Sequence, residues 1–262
     1  MIFLPGQAGP GFGWGSLSSS YLYKTDIMSP IQVAAFSGGK DSTAMVLRMA
    51  EQGHEPLCIY TPTGDELPAV SIHIQRMESM LSRPIKRIGL PGGLRRLIRE
   101  KHMLPNWRAR FCTPMLKIAP FQAWLSNHRP AIVLVGLRAD EEGRAGVEYS
   151  WPDVEVRYPL REWKWDLEQV LSYLATKEIE IPPRTNCARC FFQTLHEWYC
   201  LWRDHPDIYA DAVEDERLLG HTYRSPQRDT HPAELSKLRD EFETGYIPTE
   251  RSRSVACRYC ST

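Results

Sequence analysis

Apolar residues follow two rhythms along the first two thirds of the chain. Short runs, Val33-Ala34-Ala35-Phe36, Pro56-Leu57-Cys58-Ile59-Tyr60 and Ala131 to Val135, are bounded by turn residues, as strands covered on both faces would be. Between them apolar side chains recur at helical spacing. Ala44, Val46, Leu47 and Met49 share the inner face of one helix, and helices are also predicted over Leu67–Leu81, Leu94–His102 and Trp165–Thr176. Pro84–Ile88 reads as a third short strand, and Pro114 suits the first turn of a helix running to about Asn127 with Thr113 as its cap. Pro182-Pro183 breaks the pattern, and an aromatic-rich helix over Leu195–Tyr209 follows. The alternation predicts an α/β fold, a doubly wound and mostly parallel sheet, followed by a Cys-rich, mainly helical C-terminal segment. Residues 1–27, rich in Gly, Ser and aromatics, read as a loosely ordered extension, residues 28–182 as the α/β domain and 183–262 as the C-terminal segment.

Composition adds little for the whole chain and more for its parts. The 262 residues carry 32 Lys and Arg against 32 Asp and Glu, so no overall charge draws the chain to nucleic acid or to an anionic membrane. Locally the balance breaks: Arg83 to Lys117 holds ten cations against Glu100 alone, whereas Asp204 to Glu216 holds six acids and no Lys or Arg. The basic stretch suits a polyanion, a tRNA or DNA strand or a nucleotide, or else a solvated helix face. No run has the length of a membrane span. Seven cysteines without a secretory signal argue for thiol or metal chemistry in the cytoplasm.

The chemistry concentrates where the first strand meets the first helix, at Phe36-Ser37-Gly38-Gly39-Lys40-Asp41-Ser42. Free N–H groups and the positive end of a helix dipole converge there, and two glycines let backbone approach an anion. Lys40 adds a full charge, the serines can donate to phosphate oxygens, and Asp41 either caps the helix or helps hold magnesium. Loops at the carboxyl ends of parallel strands share one crevice, which makes Thr63, Gly64 and Asp65 after the second strand further nucleotide contacts. By the same logic Gly136, Arg138 and Glu141 follow the clearest strand, and guanidinium groups of Arg138 and Arg144 would meet phosphate or sulfate. Asp65 and Glu141 are also candidates for metal or proton handling. Cys112 stands at a helix N-terminus, where a thiolate is stabilised and the pKa falls. Cys58 and Cys200 read as packing residues.

The loop lacks the four-residue spacing of a Walker A motif. Ser-Gly-Gly-Lys-Asp-Ser instead resembles the PP-loop of the adenine nucleotide alpha hydrolase superfamily, whose members attack the α phosphorus of ATP and release pyrophosphate. With Cys112-Thr113-x-x-x-Lys117, Gly136-Leu137-Arg138-Ala139-Asp140-Glu141 and Pro159-Leu160-x-x-Trp163 in the same order, residues 31–200 resemble the phosphoadenosine phosphosulfate (PAPS) reductase branch. That resemblance implies an ATP-dependent adenylating sulfurtransferase, with Lys40, Asp41 and Cys112 as catalytic residues, Cys112 carrying the sulfur if it is not a ligand, and a sulfur donor protein as a further partner. Two other readings remain, a PAPS or adenylyl sulfate reductase and an ATP-binding, zinc-stapled interaction module.

Cys187-x-x-Cys190 and Cys257-x-x-Cys260 are each half of a metal site. All four would make a closed zinc site. The Cys112 context, together with its distance to Cys187, resembles the pattern by which adenylyl sulfate reductases bind a four-iron four-sulfur cluster, which implies Cys112, Cys187, Cys190 and one C-terminal cysteine as ligands.

Overall fold

The computed structural model describes residues 29–182 and 185–249. Five parallel strands form one sheet in the order β3-β2-β1-β4-β5: β1 is Ile31–Ala35, β2 Leu57–Tyr60, β3 Lys86–Arg87, β4 Ala131–Val135 and β5 Val154–Arg157. The expected doubly wound α/β architecture is therefore present. Neighbouring side chains of β1 leave on opposite faces. Ala34 packs with helices α1 (Lys40–Glu51), α2 (Pro68–Met80) and α6 (Leu167–Thr176), while Val33 packs with α4 (Ala119–Ser126). Both faces are covered, which is why the central strands read as unbroken apolar runs.

The chain runs outward from β1 to β3 and then returns to the other side of β1 as β4, leaving a switch point between β1 and β4. Loops at the carboxyl ends of these two strands diverge there and open a crevice. A second body packs beside the sheet. It combines α3 (Gly93–Lys101), α7 (Leu195–Asp204), α8 (Pro206–Leu219) and α9 (Leu235–Glu243) around Trp198, which is fully buried. A short helix, α5 (Pro159–Glu162), precedes α6.

Three elements differ from the sequence reading. The helix expected over Leu195–Tyr209 divides at His205, because Pro206 takes the first position of a new helix. Thr113 does not cap the helix after it: its backbone is helical (φ −65°, ψ −56°), its side chain makes no cap bond, and Pro114–Ile118 form a wide π-turn that leads into α4. Strand β5 was not foreseen; Val154 and Val156 point inward between exposed Glu155 and Arg157. Among the described residues no helix is long and apolar enough to cross a membrane.

Candidate functional site

Helix α1 begins at Lys40 with Gly39 before it in extended conformation, and no side chain caps its N-terminus. The first-turn N–H groups of Lys40, Asp41 and Ser42 therefore lack intrahelical acceptors. Gly38 adopts φ +74°, a left-handed conformation that costs a side-chain-bearing residue about 1–2 kcal/mol. The serines hold the loop closed. Ser42 Oγ accepts from the Ser37 N–H at 3.2 Å, lies 3.1 Å from Ser37 Oγ, and donates to the Gly39 carbonyl at 3.1 Å. Gly136, at the end of β4, lies against this turn. A Cβ there would meet Ser42 N at 3.1 Å and the Asp41 carbonyl carbon at 3.2 Å, so the close approach of β4 to the helix requires glycine.

Arg138 supports the loop from behind. Its guanidinium is 2% exposed and donates to Asp41 Oδ1 at 3.1 Å and to both Asp140 oxygens at 2.8 and 3.1 Å. Burial works against its charge, but Asp140 and Asp41 outweigh burial and hold it more firmly protonated than usual. Glu141 is buried beneath, accepting from the Arg138 N–H and pairing with Arg144. Asp41 is shared between Arg138 and Lys40 Nζ, the latter at 3.0 Å. Arg138 therefore reaches the loop through carboxylates rather than by facing the crevice.

The crevice is a cavity of about 490 Å³, a volume typical of small-molecule sites. Phe36, Ser37, Gly39, Lys40, Asp41 and Ser42 line one end, with Thr63 and Gly136 beside them. Ile59, Phe121, Val133 and Tyr149 give it an apolar wall suited to a flat ring, and Thr185, Asn186 and Cys187 also line it, with Thr185 Oγ1 3.4 Å from where a Gly39 Cβ would stand. Gly38, Gly64, Asp65, Arg138 and Glu141 do not line it.

Two residues that the sequence reading passed over organise the second loop. Glu66 accepts from the Thr63 N–H and hydroxyl at 2.5 and 2.6 Å and from the Gly64 N–H at 3.0 Å. The Thr-x-x-Glu spacing of a capping box was the available signal. Arg189, 1% exposed, binds Asp65 Oδ1 through Nε at 2.8 Å and Nη2 at 2.5 Å, and Asp215 at 2.5 Å; its N–H donates to Asp65 Oδ2 at 3.0 Å. Both oxygens of Asp65 are thus engaged by the Cys187–Cys190 turn. Nothing in the sequence marks Arg189 for this task.

That turn carries two of three neighbouring thiols. The Cys187 and Cys190 thiols are hydrogen-bonded to each other, and Cys190 also acts electrostatically on Cys112. Burial, then Cys190, push the Cys112 thiol up, against the opposing effect of the Thr113 N–H and the Lys117 charge. The sequence expectation of a lowered pKa is corrected: desolvation outweighs the helix terminus. The Cys187 thiol is raised well above the usual range by its bond to Cys190 and by burial. Among the described residues no three His, Cys, Asp or Glu side chains close around one metal ion. Three soft donors on two segments, with Lys117 affecting two of them, nevertheless match the donor set of an iron-sulfur cluster, which spreads its ligands wider than a single ion does. Cys257 and Cys260, needed for the closed zinc set, lie outside the described residues. Cys58 is buried in the core with its thiol pushed up to about 11 by desolvation, and Cys200 Sγ lies 3.4 Å from His196 Nε2.

Comparison with known proteins places these features in context. The family profile described as phosphoadenosine phosphosulfate reductase domain matches residues 31–185. A PAPS reductase from Candida auris, solved as a phosphate complex, is 16% identical with a TM-score of 0.47, over 60% of this chain and 77% of that one. The U34-tRNA thiolase NcsA from Methanococcus maripaludis, solved with its four-iron four-sulfur cluster, is 19% identical with a TM-score of 0.45, over 86% of this chain and 84% of that one. No curated protein sequence matches the chain.

Proposed function

The chain belongs to the phosphoadenosine phosphosulfate reductase domain family of the adenine nucleotide alpha hydrolase superfamily, and on that basis we propose that it is an ATP-dependent adenylating sulfurtransferase. The observation that carries this reading is that residues of the Ser37–Ser42 loop and Cys187 line the same cavity. An activated phosphate and a thiol centre open onto the same space.

ATP would lie with its phosphates on the α1 N-terminus and its base against the apolar wall. The loop N–H groups and Lys40 stabilise negative charge on pyrophosphate as it leaves, an electrostatic contribution placed where charge develops. Magnesium suits the same phosphates, with Asp41 the nearest carboxylate of the loop. An acceptor oxygen attacks the α phosphorus, the bond to pyrophosphate breaks, and AMP is joined to the acceptor. Sulfide then attacks the activated carbon, a carbon–sulfur bond forms, and AMP leaves with the oxygen. Arg138 keeps Asp41 and the loop in register throughout. Cys112, Cys187 and Cys190, with a C-terminal cysteine, would hold a four-iron four-sulfur cluster, which supplies sulfur-ligated iron at the edge of the cleft.

The test follows ATP labelled at the α phosphorus, with sulfide and total RNA present. Label should pass to AMP in the wild type and not in Lys40→Ala, with the far-UV spectrum of the variant unchanged. Wild-type turnover in Lys40→Ala would remove the loop from the reaction. A second reading, reductive cleavage of a nucleotide-bound sulfate by a thiol, is supported by the family match itself. It predicts that ATP is left intact.

A further inference from the structure

We propose that the turn at Asn106–Arg110 and the aromatic rim beside it dock a single-stranded nucleic acid segment and lead it into the cleft. This deepens the sulfurtransferase reading and rests on it for the strand's role as acceptor. The turn is built to present one ring. Asn106 Oδ1 accepts from the N–H groups of both Arg108 and Ala109 at 3.0 Å, and Trp107, inside the turn so closed, stands 63% exposed. The Arg108 guanidinium lies 4.7 Å from the centre of that ring, giving a stacking plane and a cation side by side. The pairing repeats along the rim: Lys101 Nζ sits 5.5 Å from the Phe111 ring and the Arg110 guanidinium 5.3 Å from Phe192, itself packed on Phe191.

Three cations toward this end of the basic stretch have no carboxylate beside them among the described residues. Arg95 is paired to Asp211 and Arg96 to Glu100, whereas Arg99, Lys101 and Arg108 have no carboxylate partner among the described residues. The rim also connects to the chemistry. A hollow of about 530 Å³ bordered by Arg110, Phe111, Thr113 and Pro114 shares Ile118, Gly146 and Val147 with the main cavity. Rings paired with cations, two of them (Arg110 and Phe111) at the hollow itself, match a strand that offers bases and phosphates in alternation. An acidic peptide would use the cations and leave the exposed indole without a partner.

The experiment is anisotropy of a labelled single-stranded 12-mer, RNA or DNA, on the full chain at several salt concentrations, with inorganic polyphosphate as competitor. Trp107→Ala should weaken binding about 5- to 100-fold, as loss of one base stack does, with the salt dependence unchanged, and Trp107→Phe should restore most of it. Arg108→Gln should flatten the salt slope by about 0.7, the value for one phosphate contact on a single strand. Wild-type affinity in Trp107→Ala, or polyphosphate competing as well as the strand, would overturn the proposal. ATP cleavage, measured separately, distinguishes the two readings: intact ATP turnover with no effect of Trp107→Ala on strand binding refutes the docking face alone, and a clear Trp107 effect without ATP cleavage refutes the sulfurtransferase reading alone.

Discussion

Replacing Arg189 by methionine tests whether the Cys187–Cys190 turn is held by charge. The guanidinium is 1% exposed and faces two carboxylates, Asp65 at 7% and Asp215 at 18% exposure. Removing it deletes three bonds to Asp65 and Asp215 side-chain oxygens and leaves the Asp65 charge buried without a counterion. Breaking such a pair costs about 3–5 kcal/mol. The loss depends on pH with a defined sign. The Asp65 carboxyl already lies above its ordinary range because of burial, with Arg189 pulling the other way. Without Arg189 it rises further. An acid whose folded pKa is raised keeps its full stability below the unfolded value and loses it as pH rises through the folded one, so the variant should be most deficient near pH 8 and recover toward about pH 4, the unfolded value. Urea unfolding at both pH values measures this, and Asp65→Asn added to Arg189→Met should restore part of the deficit at the higher pH. A cost below about 1 kcal/mol at both pH values, as for a surface pair, would refute the reasoning.

Gly136→Ala should push on Ser42 and Asp41 backbone and displace the loop, costing about 1–3 kcal/mol of stability and slowing pyrophosphate release more than it lowers the melting temperature; turnover equal to wild type would show that the approach is loose. Glu216 accepts N–H bonds from Tyr223 at 2.8 Å and Leu235 at 2.7 Å, yet burial pushes its carboxyl up to about 7. Stability should therefore fall by about 1.4 kcal/mol per pH unit between roughly 4.5 and 7 from this group, and urea unfolding of Glu216→Gln should lack that slope. Protein purified without oxygen should carry about four irons and four sulfides per chain, and Cys187→Ala should lose them. About one zinc and no sulfide would make the cysteines structural.

The sheet was legible because its strands are covered on both faces. Ala131–Val135 could be bounded from sequence for that reason, whereas β5, with Glu155 and Arg157 exposed, has only weak alternation to mark it. The phosphate loop announced itself because its glycines, lysine and serines serve local geometry. Interactions across the chain left no such mark. The basic and acidic stretches gave no sign of each other, yet Arg95 meets Asp211, 116 residues away. Asp65 looked like a ligand for the nucleotide, and its partner Arg189 lies 124 residues away. The pKa of Cys112 was misjudged because the helix terminus can be read locally, while the burial that overrides it comes from packing against the C-terminal body.

The most direct test of ATP-dependent sulfur transfer gives the anaerobically purified protein ATP in one vessel and PAPS in another. Both contain sulfide, a dithiol reductant and total RNA, and pyrophosphate and sulfite are measured in each. Pyrophosphate from ATP, absent in Lys40→Ala, with no sulfite from PAPS is the predicted result. Sulfite from PAPS with ATP left whole would contradict it and make the protein a reductase.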